Sequence, residues 1–522
     1  MLPERGDQRV ALRRRLGPKG LLDEVEQSSN TVGIGPPGHE IDTRGARHAW
    51  DHASVPTIDR LSGLDAAFLD LDSPQAPLHV GWTIRVAGRP PSLSALRRHI
   101  EGRLEHVPRF RRRVVRPRLG LGDAHWADDP GFDIARHVHA VTLAPPAGAS
   151  ELRDLAGALL SQPLDPCHPL WRIYLVGGLR ADGWAVIGQA HHALVDGIAA
   201  VEVAMLLFDA AGHPPMQAAN GSWSPRPRPS ARASAAAFAR DRVTGATRVA
   251  RTAAATVARG ADVPAAVRQL ATPAPATGLD RSATRRRAVA FADVPLEAVR
   301  AAGRRHNATI NDVLLAAATL ALGRALRRRG ERPGMVKVLV PVNVRDGGDA
   351  GALGNGISFV TVELPVGTTD QIEVLRAVRT QTRARKAGGA AAPLHTLAEV
   401  VDLLPGGARR IVARTAARAA SFNAVVSNVP GPPVELDILG RRVTAIFPAV
   451  PFLHGHALSI GAVSYRGRLH CGVYADATVV PDSADLARDL ETAFDSLRVV
   501  PRPPDTPWRA RARSRRQRAA RR

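Results

Sequence analysis

Two adjacent histidines, His191 and His192, precede Asp196 and Gly197 in the stretch QAHHALVDGIAA. A histidine that titrates near neutrality can remove a proton from a hydroxyl or a thiol, so the pair offers a candidate general base. Asp196 is close enough in sequence to brace this loop, through an arginine ion pair or through N-cap hydrogen bonds, and the spacing leaves that choice open. The alternative interpretation is a pair of hydrogen-bonded core histidines beside a turn.

The surrounding residues predict where each histidine lies. Residues 184–190, WAVIGQA, follow the turn RADG and are typical of a buried strand. Because side chains alternate across a strand, His192 is expected to face with the even-numbered residues and His191 to face the other way. The residues IAAVEVAMLLFDA predict a helix that Asp196 caps, and Gly197 tolerates the tight geometry. His192 is therefore expected at an accessible strand end, with a role different from that of His191.

Changes in composition divide the 522 residues into five segments. The first residues have weak periodicity and many turn formers, and the stretch PPMQAANGSWSPRPRPSARAS interrupts the periodic patterns again. The alanine- and arginine-rich residues after it favour helix. The predicted segments are a flexible extension at 1–57, an α/β domain with the histidine pair at 58–222, a helical connector at 223–284, a second α/β domain at 285–500 and a basic tail at 501–522.

The formal net charge is +23, and the tail contributes much of it, with nine arginines against Asp505. Such a segment is suited to an anionic membrane or lipid-droplet surface, with simple solubilisation as the alternative. Aromatic residues make up only 4% of the chain, and no nucleic-acid-binding motif is recognisable. Nucleic acid is therefore not an expected partner.

Only two cysteines, Cys167 and Cys471, are present. They are too few for a disulfide framework or a zinc cage, which favours a reducing compartment and predicts no metal site. Cys471 lies in a strand-like stretch and is expected to be a packing residue. The sequence shows no signal-peptide pattern and no apolar run of about 18 residues, so we expect a cytoplasmic protein that lies on a membrane without spanning it.

The HHxxxDG pattern formed by His191, His192, Asp196 and Gly197 resembles the signature of the CoA-dependent acyltransferase superfamily. Further stretches are similar to the bacterial wax ester synthase/acyl-CoA:diacylglycerol acyltransferase family over roughly residues 58–500. These stretches are LSGLDAAFLDLDSPQAPLHVG, the PLW element at 169–171, the ND element at 311–312 and the SNVPGPP loop.

The resemblance implies an α/β (α+β) fold with two chloramphenicol-acetyltransferase-like domains and a substrate tunnel between them. It implies that His192 is the general base and that Asp196 is structural. Acyl-CoA would be a co-substrate, with no bound cofactor. The extension and the arginine tail depart from the family's pattern, which puts membrane targeting and regulation in doubt.

Five further residues are candidates for substrate binding. Trp171 precedes a strand-like run, where a tryptophan is also explained by core packing. Asn311 and Asp312 open an apolar helix and are also explained by capping. Ser427 and Asn428 end a strand-like run, where they could donate to a developing oxyanion or belong to an ordinary loop.

The expected activity is acyl transfer from a long-chain acyl-CoA to diacylglycerol, forming triacylglycerol, or to a long-chain alcohol, forming a wax ester. The expected location is the inner face of the plasma membrane or a lipid body. Two alternatives stay open at this point: a superfamily relative that acylates another alcohol or an amine, and a non-catalytic lipid-surface protein.

Overall fold

The structure is a computed structural model, and it describes residues 59–499 with gaps at 117–123, 182, 196, 214–222, most of 228–271, 282–283, 333, 344–356, 388–407, 413 and 415–420. The predicted extension at 1–57 and the predicted basic tail at 501–522 lie outside the described residues, as does most of the predicted connector. The few described residues between 239 and 254 are helical.

The described residues form a mixed α/β structure. The strands are β1 (Asp59–Arg60), β2 (His79–Val86), β3 (Arg112–Val115), β4 (His125–Asp128), β5 (Val138–Ala147), β6 (Trp171–Leu179), β7 (Trp184–His191), β8 (Asp209–Ala210), β9 (Arg287–Pro295), β10 (Val336–Asn343), β11 (Ile357–Leu364), β12 (Ala424–Val429), β13 (Leu436–Ile438), β14 (Arg441–Ala449), β15 (Leu458–Tyr465) and β16 (Arg468–Asp476). The helices are α1 (Gly63–Leu71), α2 (Leu93–Glu101), α3 (Ala149–Leu160), α4 (Gly197–Leu207), α5 (Leu296–His306), α6 (Ile310–Arg328), α7 (Gln371–Ala387) and α8 (Ser483–Val499).

The first large sheet has seven strands in the order β5-β6-β7-β2-β14-β13-β8. The strand predicted from WAVIGQA is β7, and it pairs antiparallel with both β6 and β2. Strands β13 and β14 come from the second half of the chain, and β14 pairs antiparallel with β2. The second half therefore completes the sheet that carries the histidine pair.

The second large sheet has six strands in the order β11-β10-β12-β15-β16-β9. Its β15 and β16 form a hairpin that turns at Arg466 and Gly467, and both turn residues have positive φ, 48° and 71°. A two-residue hairpin turn with this backbone matches the twist of the strands. Helix α6 packs against this sheet with its residues 312–323 buried. A helix that is apolar on all sides over so many residues is typical of a protein core.

The two halves share buried contacts. Helix α3 contacts strand β9, and Gly157 lies so close to the Arg287 backbone that an added Cβ would meet its carbonyl oxygen at 2.5 Å. Arg287 and Asp476 form a buried ion pair at 3.4 Å, and the Arg287 guanidinium also donates to the Gln75 carbonyl. The second sheet is thereby tied to the turn that leads into β2.

No single helix among the described residues is long and apolar enough to cross a membrane. Helices α5 and α6 meet the length and composition criteria only as a pair, which is bent by 99°.

Candidate functional site

Strand β7 carries the histidine pair into the centre of the first sheet, and both of its faces are buried. Trp184, Val186 and Ala190 pack in one hydrophobic cluster, whereas Ala185 and Ile187 pack in another on the opposite face. The predicted alternation along this strand is therefore confirmed. The strand ends at His191, so His192 is the first residue of the turn that follows.

His192 is half-buried and is held by its backbone and by its ring. Its amide donates to the Leu78 carbonyl at 2.8 Å. Its imidazole stacks on Phe68 of α1, with the ring centroids 4.2 Å apart and the planes at 23°. These contacts leave a partly exposed imidazole fixed just after the C-terminal end of strand β7, as a general base requires.

His191 has a different environment, because only 1% of its surface is exposed. Its Nδ1 accepts a hydrogen bond from the Ala193 amide at 3.0 Å. Burial lowers the pKa of His191 well below its ordinary value, so the ring is neutral and its proton resides on Nε2. Nε2 lies 3.9 Å from the Asp72 carboxylate and has no hydrogen-bond partner in the described part of the chain.

Asp72 is the carboxylate that the described structure brings to the histidines, and the sequence interpretation did not include it. One of its oxygens accepts from the Leu78 amide at 2.7 Å, and the Asp72 amide donates to the Phe68 carbonyl at 2.9 Å. Asp72 thus connects the two residues that hold His192. Burial raises the pKa of Asp72 from 3.8 to about 6.

His79 completes the cluster, since it pairs with His191 across β2 and β7 and the two rings lie edge to face with centroids 5.7 Å apart. Burial lowers the pKa of His79 to about 3. The His79 Nδ1 and the Gln189 Oε1 have no partner among the described atoms. Sequence reasoning missed Asp72 and His79. The available signal was that a carboxylate and a histidine flank the turn in LDSPQAPLH, but His191, which they approach, is far away in sequence.

Of the two remaining motif residues, Asp196 and Gly197, the structure describes only the second. Asp196 lies outside the described residues, so its predicted role as a brace stays a prediction. Gly197 is the first residue of α4, in agreement with the predicted helix start.

Trp171 is the first residue of β6 and pairs with Ala190 of β7. Its side chain is 1% exposed, its Nε1 donates to the Phe110 carbonyl at 2.7 Å, and its ring stacks on His137 with centroids 4.5 Å apart. These contacts are those of a core residue, which was the alternative to substrate binding.

Asn311 and Asp312 lie in the first turn of α6, behind the N-cap residue Thr309. The two oxygens of Asp312 accept from the Thr309 amide at 2.8 Å and from the Thr382 hydroxyl at 2.6 Å, and Asp312 is 3% exposed. Capping accounts for this carboxylate. Asn311 is half-buried beside it.

Ser427 and Asn428 lie in β12, which runs parallel to β15 and ends at Val429. Ser427 is buried, Asn428 is half-buried, and Val429 packs against the cluster that contains Ala193 and Leu194. The end of β12 therefore reaches the core around the turn that follows β7.

The loop after β12 needs its glycine for close packing. The Gly431 amide donates to the Ser464 hydroxyl at 3.2 Å, and a Cβ on Gly431 would lie 1.8 Å from the Ser464 carbonyl oxygen. Gly431 therefore fixes the path of the chain as it leaves the strand that carries Ser427 and Asn428.

The remaining titratable candidates lie apart from the histidines. Cys471 is buried in β16, and burial raises the pKa of its thiol to about 12, as suits a packing residue. Among the described residues, no three His, Cys, Asp or Glu side chains gather in a way that could hold a metal ion.

Comparison with known proteins places this geometry in a family. Residues 61–314 match the model of the wax ester synthase/diacylglycerol acyltransferase catalytic domain, and residues 353–498 match that of the family's C-terminal domain. A probable diacylglycerol O-acyltransferase of Mycobacterium tuberculosis is 32% identical over 465 residues, which cover 85% of this chain and 96% of that protein. A putative diacylglycerol O-acyltransferase of Mycobacterium bovis matches to the same extent.

Solved structures support the same fold. The wax ester synthase/diacylglycerol acyltransferase of Marinobacter aquaeolei has a TM-score of 0.61 at 23% identity, covering 84% of this chain and 98% of that one. The first condensation domain of the calcium-dependent antibiotic synthetase has a TM-score of 0.54 at 16% identity, covering 86% and 98%. The predicted α/β fold, related to chloramphenicol acetyltransferase, is confirmed. On the two family-domain matches and these relatives, the chain belongs to the wax ester synthase/diacylglycerol acyltransferase family.

Proposed function

We propose that this protein transfers the acyl group of a long-chain acyl-CoA to diacylglycerol, forming triacylglycerol, and that long-chain alcohols serve as second acceptors. The observation that carries the proposal is the half-buried His192 imidazole, anchored on Leu78 and Phe68 at the end of β7. Its position in an HHxxxDG motif and the family membership of the chain support the same reaction.

In the proposed mechanism, His192 takes the proton of the acceptor hydroxyl while the oxygen attacks the thioester carbonyl. The bond from the carbonyl carbon to sulfur then breaks, and the proton returns from His192 to the departing CoA thiolate. Ser427 and Asn428 are our candidates for donors to the oxyanion formed on the carbonyl. No covalent enzyme intermediate, bound cofactor or metal is required by this sequence of steps.

The arginine-rich segment 501–522 supports a second part of the proposal, which is attachment to an anionic membrane or lipid-body surface from the cytoplasmic side. Deleting residues 501–522 is expected to release the protein from vesicles that contain anionic lipid, while activity on detergent-solubilised substrate is retained. Unchanged vesicle binding after the deletion would contradict this part alone.

The test of the reaction is to incubate the purified protein with a long-chain acyl-CoA, diacylglycerol and hexadecanol together and to identify the ester that forms. Triacylglycerol is expected as the main product and the wax ester as the minor one. Ester formation on neither acceptor, with acylation of another alcohol or an amine from a panel, would establish the first alternative instead. The comparisons give neither alternative any support.

A further inference from the structure

A cavity of about 520 Å³ lies at the open edge of the first sheet, separate from the His192 turn. Its walls come from the start of β5, from β6 and from the loop at 162–169 that precedes β6. The polar side chains that matter are those of Arg136, His137, His139, His168, Arg172 and Tyr174. A cavity of this size suits a small-molecule group rather than a protein segment.

The two arginines of this cavity are held by partners other than carboxylates. Arg172 donates to the Tyr174 hydroxyl at 3.3 Å and to the Gln162 side-chain oxygen at 3.5 Å. Arg136 donates to the His168 Nε2 at 2.9 Å. Within the described part of the chain, the carboxylates of Asp129 and Asp165 lie 3.4 Å and 3.8 Å from the His168 ring, and neither guanidinium has a carboxylate within ion-pair distance.

Three other arginines of the same half are paired with carboxylates, whereas Arg97, Arg113 and Arg180 bind backbone carbonyls. Arg112 meets Asp128 at 3.0 Å, and Arg116 meets Asp70 at 2.9 Å. Arg103, which is buried, is paired with Asp209. The two arginines of the cavity differ from these three, because no carboxylate is paired with them among the described residues.

Two of the histidines in the cavity, His137 and His139, have lowered pKa values. The pKa of His137 is lowered to about 4, mainly by burial and with a smaller contribution from the charge of Arg172. Burial also lowers the pKa of His139, again with a contribution from Arg172. Asp165, the acidic residue in the lining, accepts the Cys167 amide at 2.9 Å with one of its oxygens. Two guanidinium groups thus face this cavity, and Asp165 is the acidic residue among its lining side chains.

We propose that this cavity binds a phosphate group of the CoA part of the acyl donor, with Arg172 as the main contact and Arg136 at the rim. The inference rests on the proposed function. Guanidinium groups match the geometry of phosphate oxygens and bind them through two parallel hydrogen bonds. Arg172 pairs with Gln189 across β6 and β7, two residues before His191, so the cavity begins about one strand spacing, roughly 5 Å, from the histidine strand. The pantetheine arm of CoA would span from this edge to the thioester at His192.

The test compares Arg172→Gln and Arg136→Gln with Arg113→Gln, using an acyl-CoA and the corresponding acyl-pantetheine, which lacks every phosphate. Arg113 is the matched control, since it donates to the Cys167 carbonyl beside the cavity but does not line it. Arg172→Gln is expected to raise KM for acyl-CoA about tenfold with kcat unchanged, and Arg136→Gln by a smaller factor. With acyl-pantetheine, both variants are expected to match the unsubstituted protein.

Three outcomes would overturn the assignment. Equal effects on both donors would make Arg172 a structural residue, and an effect of Arg113→Gln as large as that of Arg172→Gln would indicate general surface charge. Loss of binding to phosphatidic acid vesicles in Arg172→Gln, with KM for acyl-CoA unchanged, would assign the cavity to a lipid headgroup. Because Arg172 lies within a strand, a thermal melt accompanies each variant, and the exposed Arg136 tests the proposal even if Arg172→Gln unfolds. Ester synthesis by the unsubstituted protein separates failure of this inference from failure of the proposed function.

Discussion

Two polar clusters of this protein, one at the end of β7 and one at the start of α6, differ in how completely their groups are paired. At the start of α6, both oxygens of Asp312 accept hydrogen bonds, from Thr309 and Thr382. At the end of β7, the His191 Nε2, the His79 Nδ1 and the Gln189 Oε1 have no partner among the described atoms. Buried polar groups are usually satisfied, so the two clusters differ in kind. The first has the complete pairing of a helix cap, and the second surrounds the proposed general base.

The largest effect that would test this contrast is expected from His192→Ala. Removal of the general base should lower kcat by about 10²- to 10⁴-fold. The melting temperature should change little, because the imidazole is half-buried and lies in the turn after β7. His213→Ala is the matched control, since His213 is exposed and its ring lies 3.2 Å from the carbonyl oxygen of Ala211, away from the histidine pair. Full activity of His192→Ala with acyl-CoA and diacylglycerol would refute the mechanism.

A smaller loss of activity is expected from Asp72→Ala. Without the carboxylate, the Leu78 amide loses its bond to Asp72, which fixes the residue that accepts from the His192 amide, and kcat should fall about 10- to 100-fold. Asp72→Asn retains an oxygen that can accept from Leu78 and should keep most of the activity. Equal losses in the two variants would mean that the charge of Asp72, and not its hydrogen bond, is what matters.

At the other cluster the expected effect is on stability. Asp312→Ala leaves the Thr309 amide and the Thr382 hydroxyl without their acceptor and should lower the free energy of unfolding by about 2 kcal/mol. Urea denaturation measures it. Glu297→Ala, in the first turn of α5, removes an exposed acidic residue and should change stability by less than about 0.5 kcal/mol. If the folded Asp312→Ala protein lost activity without losing stability, the carboxylate would belong to substrate binding.

A further effect is a pH dependence that arises from Asp72. Its folded pKa of about 6 lies above the ordinary value of 3.8, so the folded protein holds this proton more tightly than the unfolded chain. Stability contributed by the protonated form is present below pH 4 and is lost as the pH rises through 6. Asp72→Asn has no such loss, so its stability relative to the unsubstituted protein should rise between pH 4.5 and 7.5. Urea midpoints at the two pH values test this, and parallel curves would contradict it.

Local patterns predicted much of the secondary structure. Strand β7 was predicted from a short apolar run after a turn, and α6 from an apolar helix pattern behind polar capping residues. In each case the interactions that form the element lie within a few residues of one another.

Other features depend on contacts between distant residues. The pairing of β14 with β2 joins strands from opposite halves of the chain, and no local pattern encodes it. The environment of Trp171 could not be predicted from local sequence either, because its side chain contacts the distant residues Phe110 and His137.

The sequence by itself determined the motif, the identity of His192 as the candidate base and the opposite facing of the β7 side chains, because residue types and strand alternation are local properties. The tertiary structure decided which groups surround that base. It brought Phe68, Asp72 and His79 to the end of β7, where buried polar atoms have no partner among the residues that the structure describes. It also decided that Asp312 is bound by Thr382, a residue of another helix. Partners of this kind are set by how sheets and helices pack, and packing is fixed only when the whole chain has folded.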